Sequence, residues 1–166
     1  MPNHLEQIAI GFGTAGVIVL AVFLLIVGGC KYRGMCRKNL FLAGKLWVVP
    51  EEFFDLRKKL CCKNGRLINN PKFNFEGIYI IHNRTRKKVY VGQSIRVGDR
   101  LNSHLTGKGN GHVFADYHRG RDRFQVSVVP LKDSGFTSLN AIEKHYIDMH
   151  NANDPKHGYN KTKGNK

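Results

Sequence analysis

Two tyrosines are placed where chemistry can use them. Tyr79 lies in Gly77-Ile78-Tyr79-Ile80-Ile81 and Tyr90 in Lys88-Val89-Tyr90-Val91-Gly92, both strand-like in their β-branched and aromatic content. The polar run Asn83-Arg84-Thr85-Arg86 reads as the turn between them. A hairpin closed over that run sets His82 against Lys87, Tyr79 against Tyr90 and Gly77 against Gly92. Alternation then sends Ile78, Ile80, Val89 and Val91 to the other, aliphatic face. The tyrosine face, flanked by glycines, is expected to admit a ligand. A phenol titrates near about 10, so one that takes up a proton at neutral pH needs cations beside it. Lys88, Arg100 and His104 are the candidates.

The elements around the hairpin must bring those cations in. A helix expected from Ile95 to Leu105 has Val97, Leu101 and Leu105 on one face and Arg96, Arg100 and His104 on another. A basic stripe beside paired phenols suits a phosphate clamp. RFQVSVVPL, from Arg123 to Leu131, reads as a third strand, and Ser138 can cap a helix running through His150. By residue type alone, Glu143, Asp148 and Asp116 are equivalent as carboxylates for a cation. No Gly-rich loop suited to nucleotide phosphates follows a strand, which excludes P-loop and Rossmann enzymes.

GIY, ten residues, then YVG resembles the signature of the GIY-YIG nuclease domain family. The likeness continues in order. Arg100 stands where the family carries an arginine on the first helix, with His104 one turn on; Glu143 matches the metal-binding glutamate, and Gly158-Tyr159-Asn160 the closing asparagine motif. The resemblance implies an α/β (α+β) fold, a three-stranded antiparallel sheet flanked by helices. It implies Tyr79, Tyr90, Arg100, His104, Glu143 and Asn160 as catalytic residues, with either tyrosine as general base. It further implies a divalent metal, Mg2+ or Mn2+, held by Glu143 (an oxygen-only site does not favour zinc), and hydrolysis of DNA to 5′-phosphate and 3′-hydroxyl ends.

Composition agrees with a polyanionic partner: the formal charge is +15, with a pI near 9.9. Lys88, Arg96, Lys108, Arg119, Arg121, Arg123, Lys161 and Lys163 are the candidate DNA-backbone contacts. Gly107-Lys108-Gly109-Asn110-Gly111 reads as a surface loop, flexible enough to fold over a bound strand. No helix-turn-helix or zinc finger is present, so low sequence specificity and salt-sensitive binding are expected. Four cysteines without a C-x-x-C spacing do not make a zinc site.

Upstream of the domain the composition changes. Residues 8–29, from Ile8 to Gly29, carry no ionisable side chain and read as a single transmembrane helix behind a short tail, residues 1–7. Residues 30–71 read as a basic juxtamembrane linker and residues 72–166 as the nuclease domain. Lys31, Arg33, Arg37, Lys38 and Lys45 follow the apolar run and no Lys or Arg precedes it, which by the positive-inside rule puts the domain in the cytoplasm. Gly11 and Ala15 offer one small-xxx-small pair for a homodimer through the membrane helix. Pro50-Glu51-Glu52 starts a short amphipathic helix, with Phe53, Leu56 and Leu60 at helical spacing and Asn64-Gly65 at its end. That helix either rests on the lipid bilayer, with Arg57, Lys58 and Lys59 near phosphates, or packs on the domain; Asn69-Asn70-Pro71 reads as a hinge. The composite expectation is a cell-membrane, single-pass endonuclease acting on DNA that enters at the membrane, such as phage or conjugative DNA. The alternative is a membrane-tethered DNA-binding module without catalysis.

Overall fold

The computed structural model describes residues 37–164. From Asn39 onward the chain forms one compact unit. Helix α1 (Pro50–Cys61) opens on proline and two carboxylates and ends on Lys58 and Lys59, each charge matched to its end of the helix dipole. The miniature hairpin β1 (Cys62–Lys63) and β2 (Arg66–Leu67) follows. Its turn is Asn64-Gly65, both with positive φ (51° and 75°), the pair that two-residue hairpins prefer. The stop expected there is thus also a chain reversal.

The main sheet is antiparallel, in the order β4 (Lys88–Ser94), β3 (Gly77–Asn83), β5 (Phe124–Pro130). Its register differs from the expected one by two positions: Tyr79 pairs with Gly92 and Ile81 with Tyr90. The turn is Arg84 to Lys87, because Lys87 takes a left-handed φ of 53° and the buried Asn83 stays in the strand. Asn83 Oδ1 accepts from the Arg86 N–H at 3.0 Å, which fixes that turn. An even shift keeps every side chain on its expected face. Ile78, Ile80, Val89 and Val91 therefore still share one side, where Ile142, Ile147 and Ala152 cover them. The covering helix is α4 (Leu139–Met149), capped by Ser138 as expected.

The tyrosine side is not open. Helix α2 (Val97–Leu105), helix α3 (Gly111–His118) and α1 pack over it, and Tyr79 is 1% exposed among Phe41, Phe53, Phe73, Leu101 and Val113. The motif glycines make room for the protein itself rather than for a ligand. A Cβ at Gly77 falls 2.3 Å from Val129 O of β5, and one at Gly92 falls 2.3 Å from the Tyr79 hydroxyl. The loop before α3 is likewise packed, since a Cβ at Gly109 lies 2.6 Å from the His104 ring.

Both sheet edges are covered. Val48 exchanges two backbone hydrogen bonds with Val126 of β5, and Val89 of β4 receives His157 and Tyr159 the same way. Residues 39–71 are therefore part of the folded unit. Phe53 is fully buried, and the expected hinge is tied down by Asn70 Nδ2 donating to Leu60 O at 2.9 Å.

The expected location needs correction. Among the described residues no helix is long and apolar enough to cross a membrane, and the expected span, residues 8–29, lies outside them. Of the two readings of the Pro50 helix, the structure has the one in which it packs on the domain: its apolar face turns inward, and Arg57 faces Asp99 of α2. A single-pass, cytoplasm-facing placement, a bilayer partner and a membrane-helix dimer are supported by no element among the described residues.

Candidate active site

Strand β4 carries Tyr90 to the mouth of a cleft of about 250 Å³, whose lining also includes Asn110, Glu143, Asn160 and Lys161. Tyr90 is half-buried there, while Tyr79 lies behind it with ring centroids 6.1 Å apart. His104, from α2, stands 4.7 Å from the Tyr90 ring and 5.2 Å from that of Tyr79. Arg100, one turn earlier, is exposed, and its charge reaches both phenols and the imidazole.

The hydrogen bonds give this cluster a direction. The Asn110 backbone N–H donates to His104 Nδ1 at 2.9 Å, and His104 Nε2 lies 2.9 Å from the Tyr79 hydroxyl. A neutral imidazole that accepts at Nδ1 carries its proton at Nε2, so the bonding assigns the tautomer that donates to Tyr79. Burial, then repulsion by Arg100, lowers the His104 pKa to about 4, which keeps the ring neutral. Tyr79 is pushed far above the ordinary phenol range by burial first and by Tyr90 second, with Arg100 opposing. Tyr90 is also raised, chiefly by burial; a hydrogen bond from Tyr79 and the charge of Arg100 work against this, and Glu143 adds to it. Of the two phenols, Tyr90 alone lines the cleft.

Glu143, on α4, is 8% exposed and held from two directions by one residue. The Gln93 N–H donates to Oε1 at 3.1 Å and the Gln93 side-chain amide to Oε2 at 2.9 Å; the same amide donates to Asn140 Oδ1 at 2.8 Å. Among the described residues, Glu143 is the one carboxylate in the cleft lining. Asn160 does something else. Its Oδ1 accepts from Val91 N–H at 2.9 Å and its Nδ2 donates to Val91 O at 2.7 Å, so it clamps the carboxyl-terminal segment onto β4. Its neighbour Lys161 lies in the cleft lining.

A family model described as the GIY-YIG catalytic domain matches residues 75–160, just over half of the 166-residue chain. The chain belongs to the GIY-YIG family. It is accordingly a nuclease, a phosphodiester hydrolase. No curated protein and no solved structure matches it. Within the GIY-YIG domain, the first motif supplies the buried tyrosine and the room for β5, and the second supplies the cleft tyrosine and the room for Tyr79.

The expected DNA contacts divide into groups. Lys88, Arg119 and Lys161 line a groove of about 540 Å³ that shares Asn160 and Lys161 with the cleft. Lys88 Nζ lies 5.6 Å above the Tyr159 ring, and Arg119 pairs with Asp116 at 2.9 Å. Arg96 and Lys108 lie elsewhere, in a pocket between α1 and α2. Arg123 lines a third hollow beside Arg84, while Arg121 and Lys163 are exposed outside the cleft.

Sequence reasoning missed Gln93, Asn110, Arg86 and His112. Gln93 left a trace: it continues the aliphatic parity Val89, Val91, and a polar side chain on a core-facing position needs a partner. Asn110 before a helix start is a cap, and its Oδ1 accepts from His112 N and Val113 N. Arg86 and His112, both in the groove, carry no local signal.

Proposed function

We propose that this GIY-YIG domain is a metal-dependent endonuclease that hydrolyses DNA with little regard to sequence, using Tyr90 as general base. The observation that carries the reading is the cleft in which Tyr90, Glu143 and Lys161 meet and from which a basic groove leads away. Tyr90 is taken as the base because it lines the cleft, whereas Tyr79 is buried and bonded to His104. Among the described residues no cluster of three or more His, Cys, Asp or Glu side chains gathers, and Glu143, the carboxylate in the cleft lining, is the residue that would hold a cation there. Magnesium suits that donor set. A cation bound there would neutralise charge on the leaving oxygen and would favour ionisation of a nearby phenol. Gln93 keeps the Glu143 carboxylate turned to the cleft. Tyr79, fed by His104, donates towards Tyr90 and favours its phenolate, while Arg100 meets charge developing on the phosphate. Groove cations Arg86, Lys88, Arg119 and Lys161 read phosphates, which carry no sequence information.

The test is cleavage of supercoiled plasmid by the full-length chain with magnesium, with manganese and with EDTA. Cutting with either ion, lost in EDTA and in Glu143→Ala, is the expected result. DNA binding with no cutting under any ion, by wild type as well as variant, leaves a binding module and overturns the reading.

A further inference from the structure

A second hollow lies away from the catalytic cleft, between α1, the segment after β2, and α2, with a volume of about 330 Å³. Three of its lining residues are cations, Arg57, Arg96 and Lys108, and one is an acid, Asp99. That carboxylate is shared. Arg96 forms the close ion pair with it, and Arg57 Nη2 reaches its Oδ1 only at 3.6 Å, longer than a hydrogen bond. Arg57 is held in place all the same: its side chain is 20% exposed, and its Nε is buried with no acceptor among the described residues. A guanidinium cannot shed its proton, so its incompletely met donors favour an added anion.

The rest of the lining narrows the class of anion. Ser103 and Thr106 give their hydroxyl protons to the carbonyls of Asp99 and Asn102, so the donors left for a ligand are the three cations and the amides of Asn69 and Asn102. Two guanidiniums and an ammonium set against one carboxylate select a multiply acceptor-bearing anion, and planar guanidinium forks suit phosphate. The place of the hollow says whose phosphate. Lys108 lines this hollow and Asn110 lines the catalytic cleft, so the short loop between α2 and α3 is the ridge between the two. One continuous polyanion can cross that ridge. Arg57 and the segment after β2 precede residue 75, outside the matched family region, so half of the hollow belongs to this chain's own extension.

We propose that the hollow formed by Arg57, Arg96 and Lys108 is a second phosphate-binding site, taking a backbone phosphate of the bound DNA away from the scissile one. The proposal rests on DNA being the substrate. The experiment uses the full-length chain in EDTA, with binding of a fluorescent duplex measured by anisotropy across a salt series. A parallel arm follows the Arg57 Nε–H resonance, assigned through Arg57→Met, during titration with unlabelled duplex, inorganic phosphate or thymidine monophosphate.

Arg57→Met and Lys108→Ala are each expected to weaken the duplex several-fold and to reduce the log–log salt slope by about 1, the loss of one phosphate contact. Lys58→Ala removes an exposed charge of the same helix outside the hollow and is expected to change the slope by less than half as much. Duplex, and not the free phosphates, is expected to shift the Arg57 signal at micromolar concentration. Lys108 is exposed, so its variant remains informative if Arg57→Met misfolds. An Arg57 signal unmoved by saturating duplex, or an equal slope change in Lys58→Ala, overturns the site. Saturable shifts with inorganic phosphate or thymidine monophosphate alone overturn the DNA assignment in favour of a free phosphate ligand. Plasmid cutting that persists while the slopes do not change defeats this inference and spares the nuclease reading; absence of any duplex binding defeats both.

Discussion

Tyr79 and Tyr90 share a face of the sheet, yet Tyr79 is buried against His104 and Tyr90 lines the cleft. Tyr90→Phe is expected to lower single-turnover cleavage by about 10²- to 10⁴-fold, the usual worth of a general base, with DNA affinity held within about threefold. Tyr79→Phe leaves the Nε2–H of buried His104 without its acceptor, costing about 1–3 kcal/mol of stability on top of a smaller rate loss. Rapid-quench rates and denaturant midpoints of both variants check the assignment; a Tyr90→Phe enzyme of unchanged rate sinks it. His104 carries a pH signature of its own. Its folded pKa of about 4 lies below the ordinary 6.5, so between those values the unfolded chain binds more protons. Its contribution is present above about pH 6.5 and is lost as pH falls towards 4, by about 3 kcal/mol in all. Denaturation at pH 7.5 and pH 4.5 should therefore show a smaller loss for His104→Gln than for wild type, although His82 and His150, also lowered by burial, titrate in both. At this scale the sequence made the shared face legible, because alternation depends on parity alone. It could not show that Tyr79 is buried, since the covering side chains come from Phe41, Phe53 and α2, far away along the chain.

Elements meet at this site through backbone as much as through side chains. Asn160 lies beyond α4, but its amide acts as one rung of a ladder on the outer edge of β4, beside the real rungs at Val89. Asn160→Ala removes two hydrogen bonds, worth about 1 kcal/mol each, and frees the segment that carries Lys161. Hydrogen exchange at the Val91 amide should speed up at least tenfold in this variant, with activity reduced through weaker DNA binding. Protection of Val91 at the wild-type level contradicts the clamp. Gly158 is bound to the same arrangement, since a Cβ there meets Ala152 O at 1.7 Å. Element identity was largely legible: β3, β4, β5, α2 and α4 all lie within a few residues of their expected spans. The two-residue register shift was not. Asn83 looks like a turn residue by type, but its amide donates to Asp122 and to Tyr159, partners that only the tertiary fold supplies. Helix α3 escaped for the opposite reason: its glycine-bracketed start reads as loop until Asn110 is seen as its cap.

At the scale of the whole molecule, the matched family region and the folding unit do not coincide. The match begins at residue 75, whereas Phe41, Val48 and Phe53 are each at most 1% exposed in the same core as Tyr79. Each such side chain contributes about 1.5–3 kcal/mol by burial, and a domain of this size is stable by only about 5–15 kcal/mol. Losing all three removes a large part of that margin. It also uncovers the edge of β5, whose Val126 N–H and carbonyl now pair with Val48, and an unpaired edge invites association with another copy. A chain cut at residue 72, where composition suggested the domain begins, is therefore expected to aggregate or to unfold without cooperativity. A chain cut at residue 39 is expected to unfold in one transition. Between these, Phe53→Ala in the full-length chain should cost about 3–5 kcal/mol, although Phe53 does not itself line the cleft. Size-exclusion profiles and urea melts of the two truncations and of Phe53→Ala make the comparison. If residues 72–166 alone stay monomeric with the same urea midpoint as residues 39–166, the extension is an ornament on the GIY-YIG domain; the packing of Phe41, Val48 and Phe53 argues that it completes the domain.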